Sequence, residues 1–312
     1  MTDQNVAARV QGEGQPVVEV AGLSRTFGKT RALDNVSLQV NPGLVYGLVG
    51  GNGQGKTTLI RHLLGLLRAQ EGSVRVFGLN PVTEPVSVLQ RIGYLSEERE
   101  MPGWMRIGEL MRYTAAFHPK WDQAYADDLL KTFRLDVTNK VKDLSKGMRA
   151  QVGLTAAVAH RPELLVLDEP STGLDAVVRK DILNAIIRAV ADDGRTAIFS
   201  SHLLDEVEQM SDYVFMIDAG QVVLHGTLED IQQRHAFLTI RYPGGSRPQW
   251  DGVLSAEQIG NAWTLVCNGT TDAVLQAARE QGCEVVQHRN ASLQEIFVAR
   301  VGRDHVTVEA PA

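Results

Sequence analysis

Residues 50–57 read Gly50-Gly51-Asn52-Gly53-Gln54-Gly55-Lys56-Thr57, a glycine-rich run closing on a lysine and a threonine. Glycines let successive backbone N–H groups turn inward and hold phosphate oxygens at the positive end of a following helix. In that pattern Lys56 reaches the β and γ phosphates of a nucleotide, and Thr57 offers its hydroxyl to Mg²⁺. Gly50 through Thr58 are therefore the candidate nucleotide-binding residues. A second stretch, Leu164 to Leu167, is wholly apolar and ends in Asp168 and Glu169. A buried strand that delivers carboxylates to a nucleotide site has this form, with Asp168 on the metal, through water, and Glu169 placed to polarise the attacking water. Acidic pairs also end strands at solvent, so the pair carries weight only beside the glycine-rich loop.

These residues need elements to hold them. Val17–Val20 and Val36–Val40 have strand character, and Leu44–Val49 is a short apolar run leading into the glycines. Thr57–Arg68 carries apolar residues at helical spacing, and Ser73–Phe77 returns to a strand pattern. Between about 101 and 160 the chain turns helical, including Ile107–Phe117 and Gln123–Phe133. Strands at Leu164–Leu167, Thr196–Phe199 and Tyr213–Ile217 then alternate with helices at Val177–Ala191 and Leu203–Met210, which implies an α/β core. After about Gln233 a small α+β pattern follows: strands at Phe237–Arg241, Trp263–Cys267 and Glu284–His288, helices at Thr271–Gln281 and Ser292–Arg300. Residues 1–16 are polar and aperiodic and are expected to be a disordered leader. The glycine-rich loop has no second copy.

Composition narrows the classes. With 44% hydrophobic and 22% charged residues the chain carries enough apolar material for a large core. Thirty-one basic against 37 acidic residues leave a net charge of −6, so no whole-chain basic field holds nucleic acid. The basic run Lys140, Lys142, Lys146, Arg149 reads as solvated surface. Cys267 and Cys283 lack metal or redox spacing and are expected to be two ordinary buried thiols of a reducing compartment. No apolar run approaches the roughly 18 residues that span a bilayer, and Met1–Gln15 has no hydrophobic signal core. The expectation is a chain neither secreted nor membrane-spanning, which reaches a membrane only through another protein.

Here a family resemblance enters. Leu144-Ser145-Lys146-Gly147-Met148, upstream of Asp168, resembles the signature sequence of ABC ATPases. Ser171-Thr172-Gly173-Leu174-Asp175 resembles their D-loop, and Ser200-Ser201-His202 their switch histidine. With the phosphate loop and the Asp168–Glu169 strand, five elements stand in family order over about residues 17–233. The resemblance implies a P-loop NTPase core with an antiparallel β subdomain and a helical insert over about 101–160, and it places the small α+β extension at 234–312. It implies ATP and Mg²⁺, and Phe27 stacking on adenine. It also implies two ATPase subunits, as a homodimer or a heterodimer, in which Ser145 and Gly147 bind the γ-phosphate held by the opposite subunit. His202 would contact the γ-phosphate and order the water beside Glu169, and Asp175 would communicate across the dimer. Standing alone, a histidine after a strand is more often structural or simply exposed, so the role of His202 rests on the family resemblance.

The sequence departs from the family in three places. The glutamine loop, usually Gly-Tyr-Leu-Pro-Gln, is Gly93-Tyr94-Leu95-Ser96-Glu97, so a carboxylate stands where an amide usually reaches Mg²⁺ and water. Glu97 can ligate a metal but cannot donate a hydrogen bond while ionised, and Glu98 beside it leaves the register open. Lys146 and Met148 replace the usual glycine and glutamine of the signature, a variant that resembles the exporter branch. In the phosphate loop Gly51 stands where proline is common and Gln54 where alanine is common. The stretch Met101–Trp121, with Trp104, Met105, Tyr113, Phe117 and Trp121, occupies the region that receives the membrane partner's coupling helix in the family; these aromatics equally suit the core of the insert.

The reading is an ATP-hydrolysing subunit of an ABC exporter, on the cytoplasmic face of a prokaryotic cell membrane through a separate membrane-spanning permease. A soluble mechanical ATPase acting on ribosomes or DNA would carry two nucleotide domains or a long coiled-coil insert. A non-catalytic regulator would lack Glu169 or His202.

Overall fold

The computed structural model describes residues 15–191, 194–241, 248, 250–269 and 271–302. The leader expected over 1–16 lies outside these residues except for Gln15 and Pro16. Two compact units result: one runs to His202 and resumes over Met210–Val223, and the other takes Leu203–Gln209 and the chain from Leu224.

In chain order the first unit contains β1 (Val18–Phe27), β2 (Thr30–Val40), β3 (Val45–Val49), α1 (Lys56–Leu63), β4 (Glu71–Val76), α2 (Pro85–Leu89) and β5 (Ile92–Leu95). It continues with α3 (Ile107–Ala115), α4 (Gln123–Thr132), α5 (Lys146–Val158), β6 (Leu164–Asp168), α6 (Ala176–Ala191), β7 (Thr196–Ser201) and β8 (Tyr213–Asp218). β1, β2 and β4 form an antiparallel sheet in the order β2-β1-β4. In β2 the buried positions Val36, Leu38 and Val40 alternate with exposed Ser37 and Gln39, so one face meets the core and the other water. The second sheet has the order β5-β6-β7-β3-β8-β9, where β9 spans Gln221–Thr227 and the first five strands are parallel. Every residue of β6 and β7 is buried, as expected of strands covered on both faces. Leu33, Val36 and Val40 of the antiparallel sheet pack with Tyr46, Leu48 and Val166 of the parallel sheet and with Leu59, Ile60 and Leu63 of α1 in one core.

The strand order decides what meets what. β7 lies between β3 and β6, with Val49 opposite Ser201 and Asp168 opposite Ser200. The phosphate loop, Asp168–Glu169 and Ser200–His202 therefore leave the sheet at one level, at the carboxyl ends of parallel strands. β5 flanks β6 on its other side, with Leu95 opposite Leu167, which brings the Ser96–Arg99 turn beside the loop that follows Glu169.

The helical segment buries Ile107, Leu110 and Met111 of α3 and Ala126, Leu129 and Leu130 of α4, the helical spacing read from sequence. It also decides the aromatic stretch. Met105 is buried and Trp121 half-buried, whereas Trp104, Tyr113 and Phe117 are 71%, 51% and 58% exposed.

The second unit holds α7 (Leu204–Met210), α8 (Leu228–Gln233), β10 (His235–Arg241), β11 (Val253–Ile259), β12 (Ala262–Asn268), α9 (Thr271–Glu280), β13 (Glu284–Asn290) and α10 (Leu293–Val301). Its antiparallel sheet runs β11-β12-β10-β13 over a core of Leu238, Ile240, Trp263, Leu265, Cys267 and Val274. Glu208 explains why α7 belongs here: its Oε1 accepts from Gln232 Nε2 at 3.1 Å and from the backbone N–H of Leu293 at 2.5 Å. Cys267 is buried, which pushes its thiol up to about 11. Cys283 is only half-buried, a correction to the expected pair of buried thiols; it packs at the margin of the small core.

Close packing of β5 on α5 gives a direct check. A Cβ on Gly93 would lie 2.1 Å from the carbonyl oxygen of Ala157, with Pro162 and Leu165 side chains also crowding it. Backbone cannot yield as a side-chain tip does, so Gly93→Ala is expected to destabilise the chain by about 3 kcal/mol, read by denaturant unfolding. An unchanged midpoint would show that α5 does not press on β5 as described.

Candidate active site

The phosphate loop begins where β3 runs out at Val49. Gly55 has φ 110° and caps α1; a Cβ there would sit 2.4 Å from the carbonyl oxygen of Ala32, so no other residue fits the turn. Gln54 has a structural task that sequence reading missed: its Oε1 accepts from the backbone N–H of Ala219 at 2.6 Å and ties the loop to the end of β8. Asn52 and Gly53 form the exposed tip, and Gly51, Thr57 and Thr58 are half-buried. Lys56 is the first residue of α1 and its side chain is only 6% exposed. Its Nζ donates to Gly50 O at 2.6 Å and Gly51 O at 3.2 Å, and lies 3.3 Å from Glu169 Oε1.

Glu169 sits one residue past β6 with φ 48°, a left-handed conformation uncommon for a residue with a Cβ and of the kind found at functional sites. Ser200, on β7, holds it there. The Ser200 hydroxyl donates to Asp168 Oδ1 at 2.6 Å and accepts from the Glu169 backbone N–H at 2.9 Å. One hydroxyl on the neighbouring strand thus holds the Asp168 carboxylate and the Glu169 backbone. Glu169 Oε2 accepts from the Thr172 hydroxyl at 2.7 Å and meets His202 Nδ1 at 2.7 Å. Oε1 makes no well-formed hydrogen bond; its partner is the charge of Lys56.

Burial alone would push the Glu169 carboxyl up. The His202 hydrogen bond, the Lys56 charge and the Thr172 hydroxyl together outweigh it and hold the group down to about 2. Glu169 is therefore ionised at neutral pH, and a carboxylate held this low is a poor proton acceptor while Lys56 stays beside it.

Lys56, Asp168, Glu169 and His202 are brought together, with Ser200 and Thr172 linking them. The remaining candidates stand elsewhere. Ser145 is the exposed N-cap of α5 and accepts from Met148 N at 3.1 Å. Gly147 lies against Val178 of α6, where a Cβ would meet the valine at 3.0 Å. The Asp175 carboxylate accepts from the Val177 and Val178 N–H groups at 3.0 Å each and so caps α6. Phe27 is 44% exposed at the end of β1, with the Arg25 guanidinium 4.7 Å from its ring centre. Glu97 and Glu98 are exposed at the tip of the turn after β5, which closes through Arg99 N to Ser96 O at 3.2 Å. Among the described residues no hydrogen bond or ion pair links Ser145, Asp175, Phe27 or Glu97 to the Lys56–Glu169 group. Of the basic run, Lys140, Lys142 and Lys146 are exposed and Arg149 half-buried.

Comparison with known proteins bears on this geometry. The family described as ABC transporter matches residues 33–172. The chain is 31% identical over 292 residues to the uncharacterised ABC transporter ATP-binding protein YdbJ of Bacillus subtilis, covering 93% of this chain and 89% of that protein. It is 36% identical over 254 residues to the daunorubicin/doxorubicin resistance ATP-binding protein DrrA of Streptomyces peucetius, covering 77% and 75%. Among solved structures, the ATP-binding subunit of an ABC transporter superimposes with a TM-score of 0.64 at 28% identity, over 70% of this chain and 92% of that one.

The Glu169 network fixes a sign for acid stability. The carboxyl is lower in the folded chain, about 2, than its ordinary 4.5, so its contribution is full above 4.5 and is lost as pH falls towards 2. About 2 kcal/mol of that contribution is expected to be gone by pH 3. Urea unfolding at pH 7 and pH 3 should show the wild type losing more stability than Glu169→Gln by about that amount. Equal losses would mean that the network does not hold the carboxyl down.

Proposed function

Because this chain belongs to the ABC transporter family as one of its ATP-binding, ATP-hydrolysing subunits, we propose that hydrolysis is carried by Lys56, Glu169 and His202, with Asp168 on the metal. The observation that carries the assignment is the convergence of these side chains at the ends of β3, β6 and β7. The backbone N–H groups from Gly50 to Thr58 and the start of α1 take the phosphates, and Lys56 exchanges Gly50 O, Gly51 O and Glu169 for the β and γ phosphate oxygens. That exchange removes one of the groups holding Glu169 down, so its basicity rises once substrate is in place. Glu169 then takes the proton of the water whose oxygen attacks the γ-phosphorus, the bond to the β-phosphate oxygen breaks, and ADP and phosphate leave. His202 orients the water and the γ-phosphate.

Mg²⁺ fits this donor set. Among the described residues no group of three or more His, Cys, Asp or Glu side chains forms a metal cage. One hydroxyl, Thr57, and one buried carboxylate, Asp168, suit an ion that keeps waters and substrate phosphates as its other ligands. Glu97 would reach it from the neighbouring turn. The ion supplies charge neutralisation of the phosphates.

The site is completed by a second ATPase subunit, a copy of this chain or a relative, whose Ser145 and Gly147 meet the γ-phosphate and whose Asp175 contacts the partner loop. Phe27 stacks on adenine. The catalytic domain is assigned to residues 17–233 and the α+β extension to 234–312. Among the described residues no helix is long and apolar enough to cross a membrane, and the proposed location is the cytoplasmic face of a cell membrane through a separate permease. A groove of about 440 Å³ lined by Val86, Leu89, Tyr94, Phe117 and His118, next to exposed Tyr113, is the proposed seat for that permease. Likeness to DrrA and the Lys146-Gly147-Met148 signature support export. With a net charge of −6, nucleic acid is not a proposed partner.

ATP turnover and size-exclusion chromatography of Glu169→Gln in ATP and Mg²⁺ test the reading. Turnover is expected to fall by about 100-fold or more while the variant elutes as an ATP-bound dimer. Full turnover in the variant would remove Glu169 from the reaction.

A further inference from the structure

One buried charge is not used by the mechanism above. Arg99 is 5% exposed, in the left-handed region at φ 50°, at the end of the turn that follows β5. Its backbone N–H donates to the Ser96 carbonyl and, at 3.1 Å, to the Ser96 hydroxyl. The register of β5 on β6 points the guanidinium into the loop after Glu169, where Nη2 donates to Pro170 O at 2.9 Å and Thr172 O at 3.3 Å. Thr172 in turn gives its hydroxyl to Glu169 Oε2 at 2.7 Å. Nε and Nη1 of Arg99 are buried without a hydrogen-bond partner. A guanidinium desolvated against two carbonyls, with two donors unmet, is a costly way to hold a loop if packing were all that mattered. A smaller apolar side chain would fill the space with no charge to bury.

We propose that Arg99 is a positioning residue for ATP hydrolysis. By fixing the carbonyls of Pro170 and Thr172 it sets the Thr172 hydroxyl against Glu169, and it joins the Glu97 turn to the loop that carries the base. The inference rests on the reading of Glu169 as the group that activates water. The Arg99 guanidinium donates to the Pro170 and Thr172 carbonyls and acts on Glu169 only through Thr172, so its removal should affect the rate and leave nucleotide binding alone.

The test is a double-mutant cycle with Arg99→Met and Thr172→Val, measuring kcat, ADP affinity and thermal unfolding for each variant. Arg99→Met is expected to lower kcat by about ten-fold or more while ADP affinity stays within about three-fold. Arg99→Lys, which keeps the charge and can reach one carbonyl, should recover part of the loss. The double variant should be no slower than the slower single one, because both act through the same carboxylate. If Arg99→Met does not fold, Arg99→Lys with Thr172→Val closes the cycle. The proposal is overturned if kcat in the Arg99 variants stays within about two-fold of wild type, if ADP affinity falls as much as kcat, or if the two losses multiply in full. Glu169→Gln in parallel separates the failures. Turnover kept there sinks the reading of Glu169 and this inference with it, whereas an inactive Glu169→Gln beside a fully active Arg99→Met sinks the inference alone.

Discussion

A buried lysine and a buried glutamate, each 6% exposed and 3.3 Å apart, are the constraint around which the catalytic unit is arranged. Each offsets part of the cost of burying the other, beside the Gly50 and Gly51 carbonyls on the lysine and the Thr172 and His202 side chains on the glutamate. They come from opposite sides of β7, Lys56 from the loop after β3 and Glu169 from the end of β6. The intervening strand supplies Ser200, which fixes both acidic residues, and delivers His202 as a third partner for the glutamate. A sheet with β3 and β6 as neighbours would leave no strand to place those groups between them.

The same arrangement suits ATP chemistry. The lysine is held by carbonyls and a carboxylate, all of which phosphate oxygens can replace, so the loop is preformed and its cation already aimed. With that cation beside it, the glutamate is held ionised and weakly basic. Local strain accompanies this function: Glu169 and Arg99 both adopt left-handed backbone conformations, and both sit where one loop must meet another. β5, through Arg99, ties the exposed Glu97 turn to the loop that follows Glu169.

Much of this was legible from the sequence because its parts are contiguous. The phosphate loop, the apolar run into Asp168–Glu169 and the Ser200–His202 triplet each carry their pattern within a few residues. The alternation of strands and helices placed most elements, with ends misjudged by a few positions; α1, for example, stops at Leu63 although apolar spacing runs on to Arg68. What escaped needs register, which no single segment encodes. Thr172 and Ser200 lay inside motifs already noted, but the Ser200 bond to Glu169 follows from the pairing of β6 with β7, and the Thr172 bond from the tight fold of the loop after Glu169. Arg99 gave no signal at all, and Gln54 stood out only as a departure from the family's alanine, since their partners, Pro170 and Ala219, are distant in sequence. β9 and β11 were missed because their residues are largely half-exposed and lack a clear apolar stripe. The aromatic stretch divided between core and surface, which spacing alone does not decide.

The central claim is that Glu169 is the counter-ion of Lys56 until phosphate takes its place. ADP affinity, measured calorimetrically for wild type and Glu169→Gln at neutral pH without hydrolysis, tests it most directly. If the claim is right, removing the carboxylate charge frees Lys56 and relieves repulsion with the phosphates, and ADP binds several-fold more tightly to the variant. Equal or weaker binding by Glu169→Gln would contradict it.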